Sequence, residues 1–186
     1  MTAQTSRRLV GHPIVVDARS LDLGGFYEVI AASALDRVLA EKSDVLALVA
    51  HRAHAVLART TSGTLQLERD RIGLRAVIDL PHTSLANDTA ELVRRGDWCG
   101  MSFSFVALSD VWDFSGAVPV RTVMDMTVKE ISVCTWPAYP STSVTVERAR
   151  SVSGQARQWA KPWQPSIAFR ERMLRVHPPF PLARSQ

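Results

Sequence analysis

The sequence predicts an α+β fold, mainly an antiparallel β-barrel flanked by short helices. Short stretches that alternate apolar and polar residues recur along the chain with hairpin-type turns between them, as in antiparallel sheets. Two other segments carry helical spacing with cap residues. The phosphate-binding patterns GxGxxG and GxxxxGK[ST] are absent from the sequence, so nothing in it supports nucleotide chemistry.

Length and composition predict one folded domain. The chain has 186 residues, of which 46% are hydrophobic, and no apolar run approaches the roughly 18 residues that a membrane span needs. The first residues, MTAQTSRRLVGHP, lack the apolar segment of a signal peptide, so we expect a cytoplasmic protein without membrane contact. Cys99 and Cys134 have no CxxC spacing, which favours buried free thiols over a disulfide, a redox pair or zinc.

The positive charge lies in the C-terminal part of the chain. Residues 148–186 hold eight Lys or Arg and one acidic residue, a net charge of +7, whereas residues 1–147 hold fourteen basic and seventeen acidic residues, a net charge of −3. The segment also contains HPPFP and no sustained apolar period. We therefore predict a domain over 1–147 and a basic, Pro-rich tail over 148–186 that is disordered, solvated or docked on a partner. Nucleic-acid binding is disfavoured, because no recognition motif accompanies the charge.

Each element follows from a local pattern. SALDRVLAEK predicts a short helix with Ser33 as N-cap and Asp36 in a capping-box position. The apolar run DVLALVAH predicts a strand that ends at His51, and GTLQLERD and GLRAVIDL predict a hairpin. NDTAELVRRG predicts a second helix, capped by Asp88 and stopped by Gly96. GMSFSFVAL and RTVMDMTVKEISVCTWP follow as strands, with SDVWDFSG between them as a turn.

Two serines share one face of the strand GMSFSF. In a strand, Met101 and Phe103 point one way and Ser102 and Ser104 the other. A serine hydroxyl is a weak nucleophile unless a base lies within hydrogen-bond reach. The serines are thus either the polar side of a half-buried strand or one of them is a nucleophile.

Among the five histidines, His51 is the best candidate for a base, because it follows an apolar strand whose core contacts would hold its ring. His54 is a near alternative, whereas His12, His82 and His177 lie beside prolines, in a loop or near a terminus. A metal site at His51 and His54 is disfavoured, because no further ligand follows at the required spacing. Glu130, in VKEISV, lies either on the solvent face of its strand or inward, where it would orient an imidazole.

Four blocks between Gly11 and Arg148 resemble the prohead proteases of tailed phages. They are SLDLGGFYEVIAASAL, VLALVAHRAHAVLARTTSGTLQLERDRIGL, LVRRGDWCGMSFSF and VKEISVCTWPAYPSTSV, and they occur in the family's order at similar spacings. The resemblance implies that His51 is the catalytic histidine, Ser102 the nucleophile and Glu130 the third catalytic position, with Ser104 as a bystander. It also implies a fold similar to that of herpesvirus assembly proteases.

The resemblance implies a serine endopeptidase that needs no cofactor or metal and cleaves the capsid scaffold, the major capsid protein precursor and itself during head maturation. It would act inside the prohead in the host cell, with a homo-oligomer left open. The basic tail would be a capsid-targeting or self-removed segment.

Two departures from the family pattern leave alternatives open. Arg52 follows His51 where the family has Asp, and Ala58 stands where the family has Gly. Arg52 is expected to lower the pKa of His51 if it points toward the ring, and Ala58 is tolerated only if its φ is negative. A prophage-derived scaffold or assembly protein that keeps the fold with weakened activity is therefore the alternative function, and a basic DNA-binding domain is a third.

Overall fold

The structure, a computed structural model, describes residues 7–148. Within that range the chain forms nine strands and two helices. In chain order they are β1 (Arg7–Val15), β2 (Tyr27–Ile30), α1 (Ala34–Ala40), β3 (Leu46–Val49), β4 (Val56–Arg59), β5 (Leu65–Arg69), β6 (Gly73–Asp79), α2 (Ser84–Arg95), β7 (Gly100–Asp113), β8 (Val120–Cys134) and β9 (Ser143–Arg148).

Four strands form an antiparallel sheet in the order β5-β6-β1-β9. The predicted hairpin is confirmed as the β5–β6 pair, in which Leu65 lies opposite Ile78 and Leu67 opposite Ala76. The core side of this sheet is apolar: Leu9, Leu74 and Ile78 are at most 1% exposed.

The second sheet is built around the long strand β8. Along one edge of β8 runs β7, antiparallel to it, with Gly100 opposite Cys134 and Asp113 opposite Val120. Along the other edge, β2 pairs in parallel with the first part of β8 and β3 pairs in parallel with the last part. β4 extends the sheet beyond β3. The neighbouring strands β3, β8 and β7 therefore lie side by side in the part of the sheet that contains the candidate residues.

The predicted α+β class is confirmed, but the predicted closed barrel is wrong. The strands of the described range form two separate sheets, in which β2 and β3 lie parallel to β8. Closure of a sheet into a barrel depends on pairings between strands that are distant in the sequence, and the local alternation of apolar and polar residues does not show those pairings.

Both helices form where predicted, with different starts. α1 has Ser33 at its N-cap position, but the Ser33 hydroxyl donates to the Met124 carbonyl instead of capping the helix. α2 begins at Ser84, where the Thr83 side chain accepts a hydrogen bond from the Ala86 amide. The prediction of Asp88 as its cap is therefore wrong, because the helix starts five residues earlier. The predicted stop at Gly96 is confirmed, with φ 85° at that residue.

β7 is longer than predicted. The segment SDVWD continues the strand to Asp113 instead of forming a turn, and the pairing with β8 shifts register three times along the way. Such bulges break the simple alternation of apolar and polar residues, so the second half of β7 does not look like a strand in the sequence.

Two further predictions concern membrane contact and the C-terminal tail. No helix in residues 7–148 is long and apolar enough to cross a membrane. The proposed tail, residues 148–186, lies outside the described residues except for its first position, so the domain boundary stays a prediction.

Candidate active site

A tight turn after β3 presents His51. Ala50 and His51 both have left-handed backbone conformations, with φ 50° and 60°, which cost about 1–2 kcal/mol for a residue with a Cβ atom. Three hydrogen bonds hold the turn: Ala50 N–H to the Val133 carbonyl at 2.9 Å, Arg52 N–H to the Val49 carbonyl at 3.1 Å, and His51 N–H to Ser132 Oγ at 3.0 Å. Strain that the surroundings enforce in this way is typical of functional sites.

Glu130 points inward from β8. It is 8% exposed, and its Oε1 lies 2.7 Å from His51 Nδ1. The alternative in which Glu130 lies on the solvent face of its strand is therefore wrong. Parallel pairing of β3 with β8 places Val49, the last residue of β3, opposite Val133. The turn that follows brings the His51 N–H to Ser132 Oγ, two residues from Glu130 on the same strand.

Ser132 is a member of this cluster that the sequence analysis did not single out. It is fully buried, its hydroxyl donates to Glu130 Oε2 at 2.6 Å and it accepts the His51 N–H. The only signal in the sequence was its spacing, since residues two apart on a strand face the same side. Because none of its surface is exposed, a substrate cannot reach the Ser132 hydroxyl, which argues against Ser132 as a nucleophile.

Ser102 lies on β7, on the face that carries Glu130 and Ser132. Antiparallel pairing places Ser102 opposite Ser132 and Ser104 opposite Glu130, and directly opposed side chains lie on the same face of a sheet. Met101 and Phe103 are buried on the other face, as the alternation predicts. Ser102 is half-buried and Ser104 exposed, so both hydroxyls are accessible from outside.

The structure brings His51 and Glu130 into direct contact but does not join Ser102 to either. No hydrogen bond of the Ser102 hydroxyl occurs within residues 7–148. β3 and β7 flank β8, so about 10 Å of sheet separates their backbones. Ser102 lies on the sheet face on which His51 contacts Glu130.

The beginning of β7 is fixed by the segment that follows β8. Thr142 Oγ1 accepts the Met101 N–H at 3.1 Å and donates to the Tyr139 carbonyl at 2.9 Å. The Phe103 and Tyr139 rings lie 5.2 Å apart. A Cβ atom on Gly100 would lie 2.6 Å from Pro137 Cγ, so only glycine permits this approach. The segment after β8 therefore holds the residues that directly precede and follow Ser102.

The electrostatics of the site favour a charged imidazole. The hydrogen bond that His51 donates to Glu130 raises the pKa of His51 above its ordinary value of 6.5, against an opposing effect of partial burial. The net direction is upward, so the lowering expected from Arg52 is not what governs the ring. Ala58, the other departure from the family pattern, is a buried residue of β4 and is not among the residues with positive φ in the described range. The alanine is thus accommodated.

The remaining candidates lie elsewhere. His12 contacts Asp70 at 2.7 Å on the other sheet, His54 and His82 are exposed, and His177 lies outside the described residues. No group of three potential metal ligands occurs within residues 7–148. Cys99 and Cys134 are free, and burial raises the pKa of the Cys134 thiol to about 12, which keeps it protonated and a poor nucleophile.

The chain is similar to known proteins in sequence and in structure. The family model described as caudovirus prohead serine protease matches residues 1–156. The chain is also similar to the KSHV protease solved in complex with a hexapeptide phosphonate inhibitor, with a TM-score of 0.47 and 14% identity over 76% of this chain and 65% of that one. It thus spans somewhat less than two thirds of that protease. No curated protein matches the chain at a significant level.

Proposed function

Because this chain belongs to the family of caudovirus prohead serine proteases, we propose that it is a serine endopeptidase with Ser102 as nucleophile and His51 as general base. Glu130 orients His51 and stabilises its charged form. The observation behind this assignment is the 2.7 Å hydrogen bond between His51 Nδ1 and Glu130 Oε1, made on the sheet face that also carries Ser102.

The hydrogen bond defines which nitrogen acts. An ionised carboxylate only accepts hydrogen bonds, so His51 Nδ1 carries the proton and Nε2 keeps its lone pair. Nε2 takes the hydroxyl proton of Ser102 while Oγ forms a bond to the carbonyl carbon of the substrate peptide. The electron pair of the C=O double bond moves to the oxygen. Backbone N–H groups would stabilise this oxyanion, each contributing about 3 kcal/mol.

Three proton transfers then complete the cycle. The His51 imidazolium gives its Nε2 proton to the leaving amine as the C–N bond breaks, which leaves an acyl group on Ser102. Water attacks that ester while Nε2 takes one of its protons. The ester C–O bond breaks, and Ser102 regains its proton from His51. Throughout, Glu130 remains ionised and balances the imidazolium charge.

The proposed substrates are the scaffold region or N-terminal arm of the major capsid protein precursor, and the protease chain itself. Cleavage would take place inside the prohead, in the host cell. The family description supports this choice, because a prohead is the capsid precursor. The basic segment 148–186, with its net charge of +7, is proposed to target the capsid precursor or to be removed by self-cleavage.

Reaction with a fluorophosphonate tests the nucleophile without knowledge of the substrate. The purified chain is incubated with the probe, and the adduct is located by intact-mass and peptide mass spectrometry. We expect one adduct on Ser102 in the wild type and in Ser104→Ala, and none in Ser102→Ala. Ser104 is the matched control, since it lies on the same strand and face. An adduct that persists in Ser102→Ala would refute the assignment.

The substrate is tested by co-expression with the cognate capsid precursor. Wild type should shorten the precursor, its own chain, or both, whereas Ser102→Ala should leave every mass intact. Identical, uncleaved masses for both proteins in assembled proheads would contradict the endopeptidase proposal. That result would favour the alternative, a scaffold or assembly protein that keeps the fold without the activity.

A further inference from the structure

We propose that Ser132 is a positioning residue that fixes the His51 ring by holding both the backbone of His51 and the carboxylate that the ring contacts. This inference rests on the proposed function for its effect on rate. The placement of Ser132 is independent of that function and is tested separately below.

The hydrogen bonds close a ring of contacts. Starting from the His51 backbone, the N–H donates to Ser132 Oγ at 3.0 Å, and Ser132 Oγ–H donates to Glu130 Oε2 at 2.6 Å. The other carboxylate oxygen, Oε1, returns to the same histidine through Nδ1 at 2.7 Å. The Ser132 hydroxyl therefore connects the His51 backbone directly to the Glu130 carboxylate.

Ser132 is well suited to such a role because it is enclosed on all sides. It lies in the middle of the sheet, with Leu48 of β3 on one side and Ser102 of β7 on the other, and none of its surface is exposed. In contrast, the His51 side chain is 45% exposed and its backbone is in a left-handed conformation that is costly for a histidine. A partly exposed residue with a strained backbone is thus held by a fully buried neighbour.

The chemistry requires that hydroxyl group in particular. Ser132 Oγ must accept from an N–H and donate to a carboxylate at the same time, which a hydroxyl does and an alanine methyl cannot. Without it, the His51 N–H and one oxygen of Glu130 lose their partners. A hydrogen bond to a carboxylate is also among the stronger ones in proteins. We therefore expect the ring to lose its defined orientation when the hydroxyl is removed.

The kinetic test compares Ser132→Ala with Ser132→Thr, which keeps the hydroxyl on a side chain suited to a strand. The readouts are the maximal rate of fluorophosphonate labelling and the probe concentration that gives half of it. Ser132→Ala should lower the maximal rate by about 100-fold, the effect of a small misplacement of a reacting group, with the half-saturating concentration unchanged. Ser132→Thr should recover most of the rate. Ser104→Ala, the exposed serine of the same face, should label like the wild type.

A second readout does not require activity. In the NMR spectrum of the full chain, the Nδ1 proton of His51 should exchange slowly with water in the wild type and in Ser132→Thr, and rapidly in Ser132→Ala. If wild type takes up no probe, the proposed function fails, and this spectrum alone decides the role of Ser132. Equal exchange in wild type and Ser132→Ala would overturn the inference.

Loss of folding would be recognised from thermal unfolding before any rate is compared. If Ser132→Ala does not fold, Ser132→Cys replaces it, because a thiol keeps a side chain of the same shape, although it is larger than the hydroxyl and only a weak donor and acceptor. The rate for Ser132→Cys should then fall well below that for Ser132→Thr. Equal rates for these two variants, or a wild-type rate in Ser132→Ala, would overturn the inference.

Discussion

Ser102 lies directly opposite Ser132 across the antiparallel β7–β8 pair. The pairing decides which side chains of the two strands share a face. Since residues two apart on a strand face the same side, Glu130 joins them on that face, whereas a slip of one residue would turn Ser102 into the core. The register of the β7–β8 pair thus places Ser102, Glu130 and Ser132 on one face, and His51 from the turn after β3 completes the candidate site.

Replacement of Glu130 by Gln should strongly reduce reactivity. The amide keeps the size of the carboxylate but loses the charge that stabilises the imidazolium, and its N–H₂ can force the wrong histidine tautomer. A comparable change in a serine protease triad costs about 10⁴-fold in rate, so we expect a loss of about 10³- to 10⁴-fold in the rate of fluorophosphonate labelling. Glu91→Gln, which breaks an exposed pair with Arg94, is the control and should have no effect. Wild-type labelling in Glu130→Gln would contradict the proposed role.

The pH dependence of labelling should report the raised pKa of His51. The base must be neutral to take the Ser102 proton, so the rate should rise with pH and reach half its maximum above the ordinary histidine pKa of about 6.5. In Glu130→Gln the main cause of the raised pKa is gone, and the midpoint of the residual rate should move to lower pH. Rates measured between about pH 5 and pH 9 cover this titration. A wild-type midpoint below that of Glu130→Gln would contradict the prediction.

The raised pKa of His51 has the opposite effect on stability: the labelling rate should rise with pH, whereas the stabilisation by the His51–Glu130 contact should fall. Because the folded state binds the proton more tightly than the unfolded one, the His51–Glu130 contact stabilises the fold fully below the unfolded pKa of about 6.5. This contribution disappears as pH rises through the higher, folded pKa. Urea unfolding of wild type and His51→Gln should therefore differ more at acidic than at alkaline pH. A difference that grows with pH would show that the shift has the other sign.

Much of the local structure could be predicted, because it depends on nearby residues. The hairpin β5–β6, the end of α2 at Gly96 and the faces of Ser102 and Phe103 follow from alternation and cap chemistry. The start of α2 was misplaced because Thr83 and Asp88 are both acceptable cap residues, and only packing of the first turn distinguishes them. The division of the strands into two sheets could not be predicted, because closure of a sheet into a barrel depends on contacts between strands that are distant in the sequence.

The candidate site was only partly visible in the sequence. His51, Ser102 and Glu130 were selected from residue type and family resemblance, and the structure places His51 and Glu130 in contact. Residue type alone left Glu130 undecided between solvent and interior, because a single carboxylate among apolar neighbours fits either face. Ser132 was missed for a physical reason: a serine inside a strand has no pattern that distinguishes a buried hydrogen-bonding hydroxyl from an ordinary polar position.

Gly100→Ala should disturb the proposed nucleophile, Ser102, without touching it. A Cβ atom there would lie 2.6 Å from Pro137 Cγ, and the proline ring cannot rotate away, so the beginning of β7 must shift two residues before Ser102. Such overpacking costs about 1–3 kcal/mol, and labelling of Ser102 should slow as well. Gly116→Ala is the control, since its nearest neighbour would be the Val118 carbonyl at 3.6 Å. Equal melting temperatures for the two variants would contradict this account.

Arg121 should be essential for stability because it balances a buried carboxylate. Glu28 is 4% exposed. Its Oε2 accepts from Arg121 Nη1 at 3.0 Å and its Oε1 from the Tyr139 hydroxyl at 2.7 Å. Arg121 also donates to Asp110 at 2.5 Å. Removal of one partner of a buried ion pair leaves an uncompensated charge and costs about 3–5 kcal/mol, so Arg121→Met should lower the free energy of unfolding by about that amount.

Two further variants separate the charge from the packing. Arg94→Met removes an arginine whose side chain is 61% exposed, and an exposed substitution of this kind should change stability by less than about 0.5 kcal/mol. Glu28→Gln combined with Arg121→Met removes both charges of the buried pair and should recover part of the loss, since only Asp110, whose side chain is 28% exposed, is then left without Arg121. Urea unfolding of the single and double variants measures both effects. If the double variant is less stable than Arg121→Met alone, the cost lies in lost packing around Arg121 and not in the unpaired carboxylate of Glu28.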